Sequence, residues 1–488
     1  MIKAYSFSQN TLYLTIAYIF EKIFVFFYFI FLARYLGTVG FGIYSFAISF
    51  IAIFLVFVDL GFSTVLIREI AKNKEKAKEY LENVLTFKII TSLIISLFVV
   101  FFVNLLNYPI STRYFIYLLI PFIIFESLSS TFFAFFRGFQ NLYYESISFI
   151  GGKSIYILLG FIFIFLKLPL IYFALPIVVG SLFSFLYSFF KAKKYLSFGL
   201  SLNKQIISFF FKIALPIVFG VIFSVIFSNI NTVIISSLVG DHFAGVFSAA
   251  FRIPMALLFL PTAVGASIFP VFSYLVKENN KEKLENAFEK VLFYIILLSF
   301  PIVFGGLVLG EKIISFLYGP KFLEAIVSFK ILIFITPFLF LDFIFSSLLT
   351  AFDKQKENAI SRGIGLAINI FLSFILIPQL THLGGAIAFA VGFIVFSLIQ
   401  ILMVSKLISF QFKKIFKKLI LIIISCLIMA FLLYFLREKI HFFFSLLIGI
   451  VAYFLSLYLL GGIKNENLKE LKLMVTVTLR RGDKDKIE

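Results

Sequence analysis

Apolar residues in this chain come in blocks of roughly twenty, separated by short polar or charged interruptions. A helix rising 1.5 Å per residue needs about 20 apolar residues to cross about 30 Å of hydrocarbon. On that measure the pattern predicts fourteen transmembrane helices, over 12–33, 42–62, 84–106, 113–135, 149–166, 170–190, 206–235, 244–272, 288–310, 326–351, 359–378, 383–405, 415–437 and 441–463. The weakest interruptions are Lys167-Leu168-Pro169 and Gly240-Asp241-His242. The first block is too long for a signal peptide and lacks a small-residue cleavage site, so it reads as a retained helix. No interruption exceeds about 25 residues, which leaves no room for an aqueous domain.

Composition agrees with this reading. Hydrophobic residues make up 62% and charged residues 14% of the 488, with a mean hydropathy of +1.10. A soluble domain holds about 45–50% apolar residues and about 25% charged ones, so lipid must cover the excess here. The net charge of +19 does not indicate nucleic-acid binding. A nucleic-acid binder gathers its Lys and Arg on one face, whereas here they alternate between successive loops. Of the 43 Lys and Arg, 33 fall at the termini and every second loop, and 8 in the other loops. Cytoplasmic loops carry that excess, which predicts a multi-pass plasma-membrane protein with both termini inside. Only Lys22 and Arg252 are left within helices. The lone Cys426 excludes disulfides, and His242, His382 and His441 have no metal-ligand spacing. No metal site or cofactor is expected.

A repeat divides the chain. Leu36-Gly37 followed by Gly42-Ile43-Tyr44-Ser45 returns 203 residues later as Val239-Gly240 followed by Gly245-Val246-Phe247-Ser248. Asn73-Lys74-Glu75-Lys76 returns as Asn280-Lys281-Glu282-Lys283, and Pro121-Phe122 with Glu126 and Ser129-Ser130 returns as Pro337-Phe338 with Asp342 and Ser346-Ser347. The expected fold is an all-α integral membrane protein with two six-helix halves, 1–200 and 201–408. Two appended helices (409–463) and a polar tail (464–488) follow. An even number of helices per half makes the repeats parallel, as in transporters that hold substrate between two lobes and alternate access by rocking them.

Ala33-Arg34-Tyr35-Leu36-Gly37, Phe41-Gly42-Ile43-Tyr44, Asp59-Leu60-Gly61 and Arg68-Glu69 resemble the amino-terminal pattern of the Wzx-type polysaccharide-biosynthesis flippases. Those belong to the multidrug/oligosaccharidyl-lipid/polysaccharide exporter superfamily. Gly245 through Ala250, Arg252-Ile253-Pro254 and Pro270 resemble their eighth helix, and Ile377-Pro378 with Gly384-Gly385-Ala386-Ile387-Ala388 their helix 11–12 turn. The resemblance implies two lobes around a central cavity and outward movement of a polyprenyl- or dolichyl-(pyro)phosphate-linked glycan. It also implies membrane lipids and glycan-assembly enzymes as partners. Many relatives carry an aspartate near Asn231, and this chain has Asn229 and Asn231 instead.

Intramembrane ionisable groups are functional candidates because each is costly unless it faces protein or water. Lys22 and Arg252 come one from each half. By resemblance to the peptidoglycan-precursor flippases they line the cavity, where they would hold pyrophosphate, Arg through its forked donors and Lys as a point charge. Asn229 and Asn231 join them as substrate contacts. Glu21 either braces the lobe interface or partners Arg252. Glu126 and Asp342 occupy matching places and either couple transport to a proton or sodium gradient, or tie helices within each half. Asp59 reads as an interfacial cap and a further coupling candidate. Pro254, Pro261 and Pro270 fall in one predicted helix and act as hinges or as fixed kinks. A drug or cation exporter of the same superfamily is the alternative function. A membrane glycosyltransferase or polymerase would need an acidic cluster in an aqueous loop, which the sequence lacks.

Overall fold

A computed structural model of the chain describes residues 7–106, 108–409 and 412–462, which form sixteen α-helices, two short 3-10 turns and no strand. The tail 464–488 lies outside the described residues. Helix α1 (Phe7–Asp59) runs for 53 residues, about 80 Å of helix and more than twice what a bilayer requires. Its course breaks at Gly37, where φ is 68° and ψ is −176°, a conformation that residues bearing a Cβ avoid. Thirteen helical stretches among the described residues are long and apolar enough to cross a membrane. Counting the two arms of α1 separately accounts for the expectation of about fourteen spans.

The remaining helices of the first half are α2 (Phe62–Lys72), α3 (Ala77–Leu105), α4 (Ile110–Gly138), α5 (Leu142–Phe165) and α6 (Ala174–Tyr195). Then come α7 (Lys204–Val239), α8 (Asp241–Ala256), α9 (Phe259–Lys277), α10 (Lys281–Tyr318), α11 (Ala325–Phe334), α12 (Thr336–Ala351), α13 (Gln355–Leu380) and α14 (His382–Leu407). The chain closes with α15 (Phe412–Leu436) and α16 (Phe442–Leu459).

Two predicted spans are each broken in two, and proline is the reason. Residues 244–272 fall mainly in α8 and α9. At the break, Leu257 N donates to Pro254 O at 3.2 Å, Leu258 N to Met255 O at 3.3 Å and Leu260 N to Leu257 O at 3.1 Å. These i to i−3 bonds tighten the chain where Pro261 has no N–H to offer Leu257. Pro254 and Pro270 sit inside α8 and α9. Residues 326–351 divide at Ile335, with Pro337 in the first turn of α12, where a missing N–H costs nothing.

Packing groups the chain into two compact units, Met1–Gly245 and Val246–Glu488. In the first, α7 lies along α1 and also touches α2 and α3. One apolar core there gathers Tyr28, Leu32, Tyr44, Phe46, Phe115 and Ile116, and a second gathers Phe62, Leu66, Leu81, Phe132 and Phe135. In the second unit, α15 and α16 pack on α10. Tyr453 of α16 donates to Leu297 O at 2.8 Å, and Lys312 of α10 donates to Ile440 O at 2.9 Å. Large apolar side chains such as Leu97, Phe165, Phe371 and Phe431 stand exposed, as a lipid-facing surface requires.

The repeat is visible in matched contacts. A Cβ on Gly180 would stand 2.6 Å from Gly152 O, and one on Gly392 would stand 2.6 Å from Gly365 O. So α5 meets α6, and α13 meets α14, through corresponding small residues that let backbones touch. Glu82 of α3 accepts Gly199 N at 2.8 Å, and Glu285 of α10 accepts Ser409 N at 2.8 Å. In each case a carboxylate one turn into a helix holds the linker that leaves its half. The repeated Asn-Lys-Glu-Lys motif turns the chain into the next helix: Asn73, at the end of α2, accepts Glu75 N at 3.0 Å and Lys76 N at 3.3 Å, and Asn280 caps α10 by accepting Lys283 N at 3.1 Å.

Candidate functional site

The most intimate contact in the first unit joins the two repeated glycine motifs. A Cβ on Gly42 would lie 1.7 Å from Asp241 O and 3.0 Å from Gly245 N. A Cβ on Gly245 would lie 2.0 Å from Thr38 O and 3.0 Å from Gly42 N. Thr38 and Asp241 are 203 residues apart, as are Gly42 and Gly245. The contact therefore maps onto itself when the repeats are exchanged, as a two-fold relation demands. Gly37 and Gly240 flank the seam with positive φ values of 68° and 100°. His242 Nδ1 meets Thr38 Oγ1 at 2.9 Å across it, and Ser236 donates to Asp241.

Three charges converge near the start of α1. Glu21 lies 3.7 Å from Lys153 of α5, and Glu126 of α4 is within electrostatic reach of both. Glu21 is the carboxylate paired with Lys153, and Glu126 makes no hydrogen bond among the described residues. Lys22 is exposed on α1 beside the exposed Tyr18, Ile19 and Ile23. Helical neighbours point about 100° apart, so Glu21 turns toward α5 while Lys22 does not.

A second cluster lies where α1 ends. Lys88, in the interior of α3, is 0% exposed and ion-pairs with Asp59. It also donates to Ser63 Oγ at 2.7 Å and Ser130 Oγ at 3.1 Å, so all three ammonium protons are placed. The Asp59 carboxylate accepts Gly61 N at 3.2 Å and Ser63 N at 3.4 Å, capping the start of α2. Nearby in sequence, Arg137 closes the α4–α5 turn with a forked pair to Glu145 and reaches Tyr18 Oη at 3.1 Å.

In the second unit Asp342 is held on every side. Arg362 Nη2 donates to both its oxygens at 2.9 Å. Ser346 Oγ donates at 2.8 Å and Gln400 Nε2 at 2.9 Å. Gln400 also bonds Asn358 Oδ1 at 2.9 Å, tying α12, α13 and α14 together. Arg362 stacks on Phe396 at 4.8 Å. Arg252 is half-buried in α8 and within reach of the buried Tyr318. Asn229 donates to Val225 O of its own helix at 2.8 Å, and Asn231 is 2% exposed.

Lys88, Lys153 and Arg362 were hidden from a charge count, because each lies within a few turns of a basic loop and is counted with it. Their positions inside α3, α5 and α13 are what set them apart. A carboxylate on a facing helix would have been the clue, since an ammonium in a span needs one. Among the described residues no group of three His, Cys, Asp or Glu is placed to hold a metal.

The family described as polysaccharide biosynthesis protein matches residues 7–276, more than half of the chain, and the MatE family matches residues 216–375. The capsular polysaccharide biosynthesis protein CapF of Staphylococcus aureus is 25% identical over 360 residues, 72% of this chain and 87% of that protein. The probable low-salt glycan biosynthesis flippase Agl15 of Haloferax volcanii is 24% identical over 185 residues, 38% of this chain and 39% of that protein. The chain likewise spans 44% of the membrane protein MJ1068 of Methanocaldococcus jannaschii, at 27% identity over 229 residues, 46% of this chain. Among solved structures, lipid II flippase MurJ in an inward closed conformation superposes with a TM-score of 0.71 at 20% identity, covering 91% of this chain and 98% of that one. Matched across more than half its length and sharing that fold, the chain belongs to the polysaccharide biosynthesis protein family.

Proposed function

We propose that the protein is a flippase that moves a lipid-(pyro)phosphate-linked glycan from the cytoplasmic to the outer leaflet by alternating access. The observation that carries this reading is the family match, together with the relatives named for capsular polysaccharide and glycan flipping. The repeat halves 1–200 and 201–408 would form the moving lobes, and both termini would lie inside, as the charge bias favours. Lys22 and Arg252, with Asn229 and Asn231, would hold the anionic linkage. Coupling would fall to Glu21 and Glu126, because two carboxylates around Lys153 leave one negative charge for a proton or sodium ion to balance. Asp342 and Asp59 are already committed to Arg362 and Lys88. The MatE match favours one second reading, export of organic cations.

The test is reconstitution with a fluorescent prenyl-pyrophosphate oligosaccharide and measurement of its transbilayer movement. The expected result is movement that falls at least about tenfold in Lys22→Ala/Arg252→Ala, a loss of about 1.4 kcal/mol or more. Glu21→Gln/Glu126→Gln should retain slow movement but lose its response to an imposed proton or sodium gradient. No movement of this probe, with gradient-driven efflux of an organic cation, would favour the exporter reading.

A further inference from the structure

The end of α6 carries a feature that neither the fold nor the glycan pathway uses. Lys191 stands over two rings at once, with Nζ 5.7 Å from the centroid of Tyr144 and 5.4 Å from that of Tyr187. The hydroxyls of Tyr144 and Tyr195 are hydrogen-bonded to each other. Those of Tyr143, Tyr144 and Tyr195 lie within electrostatic reach of Tyr187. Lys194 and Lys191 both act on Tyr144, and Lys193 rests on Phe189 at 5.8 Å.

Orientation bias accounts for lysines at this end of a helix, and the helix dipole favours them there. It does not account for their arrangement. Among the described residues none of Lys191, Lys193 and Lys194 pairs with a carboxylate, and Lys191 has no hydrogen-bond acceptor. An ammonium lodged between two rings keeps its charge and leaves donors to spare. The neighbouring phenol hydroxyls add further donors. Toward the membrane, α6 continues with exposed Phe190, Leu186, Val179 and Leu175, one apolar track along the helix. Positive charge and hydroxyls above an exposed apolar strip are complementary to a phosphodiester with acyl chains beneath it.

We infer that Lys191, Lys194, Tyr144, Tyr187 and Tyr195 form a binding site for the headgroup of an anionic phospholipid in the leaflet that the charge bias assigns to the cytoplasm. The acyl chains run along the Phe190–Leu186 face of α6. A juxtamembrane lysine favours anionic lipid about fivefold, and two acting together set the expected preference.

The chain has no tryptophan, so Phe190→Trp introduces a single reporter beside the site. In vesicles of phosphatidylcholine with a minor fraction of brominated lipid, its fluorescence is quenched by whichever lipid occupies the site. Brominated phosphatidylglycerol is expected to outcompete brominated phosphatidylcholine by about five- to twenty-fold. That preference should fall to within about twofold when Lys191→Gln and Lys194→Gln are added, and weaken partially with Tyr144→Phe/Tyr195→Phe. Equal quenching by the two lipids, or a preference unchanged in the lysine variant, would overturn the assignment. So would the same preference reported by Phe209→Trp in α7, near Lys204 and Lys212, because the effect would then be general surface charge.

Discussion

Gly42→Ala is expected to cost the protein at least tenfold in transport and to lower its melting temperature in detergent, with Gly245→Ala close behind. The added methyl of Gly42→Ala would sit 1.7 Å from a backbone carbonyl, and that of Gly245→Ala 2.0 Å from another. Neither neighbour is the movable end of a side chain, so the helices must part by roughly 1.5 Å. Overpacking of this kind costs about 1–3 kcal/mol or more. Gly305→Ala is the control: its methyl meets nothing closer than Met429 Cε at 4.0 Å, and in a helix interior the change should be neutral or slightly stabilising. The seam can be read directly by oxidative cross-linking of Thr38→Cys with His242→Cys, whose native side chains touch. A high yield in the parent should drop several-fold in Gly42→Ala. An unchanged yield would show that the backbone approach is not what holds these segments together.

The second large effect is expected at Lys88. Lys88→Met should destabilise the first unit by about 3 kcal/mol, the usual penalty for stripping one partner from a buried pair. Asp59 would lose its counter-ion and Ser63 and Ser130 their donor. The double variant Lys88→Met/Asp59→Asn removes both charges and should recover a good part of that loss, while keeping a weaker cap on α2. Thermal unfolding monitored by size-exclusion of the detergent-solubilised protein measures both. If the double variant unfolds as readily as Lys88→Met alone, the orphaned carboxylate is not the cause. If neither differs from the parent, the pair contributes nothing to stability.

These expectations draw on different levels of organisation. The glycine seam was half legible in the sequence: the 203-residue repeat singled out Gly42 and Gly245 as equivalent residues. It gave no hint that the equivalents touch. The same holds for Glu126 and Asp342, matched in sequence but unlike in surroundings. Asp342 is held by Arg362, Ser346 and Gln400, whereas Glu126 is only within electrostatic reach of the Lys153–Glu21 pair. Glu21 finds its partner on α5, whose Lys153 lies too near a basic loop for the charge pattern alone to single it out. Span boundaries shifted where proline interrupts the hydrogen-bond ladder, since apolar length cannot distinguish one bent span from two short helices.

The sequence by itself determined that this chain lives in a membrane, about how often it crosses, that its halves are repeats, and which family it resembles. Those properties rest on local quantities, namely the hydropathy of twenty-residue windows, loop charge and motif spacing. Only the tertiary structure decided which charges neutralise one another, that the first two spans are parted by a single non-helical residue at Gly37, and that the two repeats meet glycine to glycine. Pairings of that kind join residues as far apart as Thr38 and Gly245. In lipid, where apolar surface costs nothing, such polar and close-backbone contacts choose the arrangement of the helices.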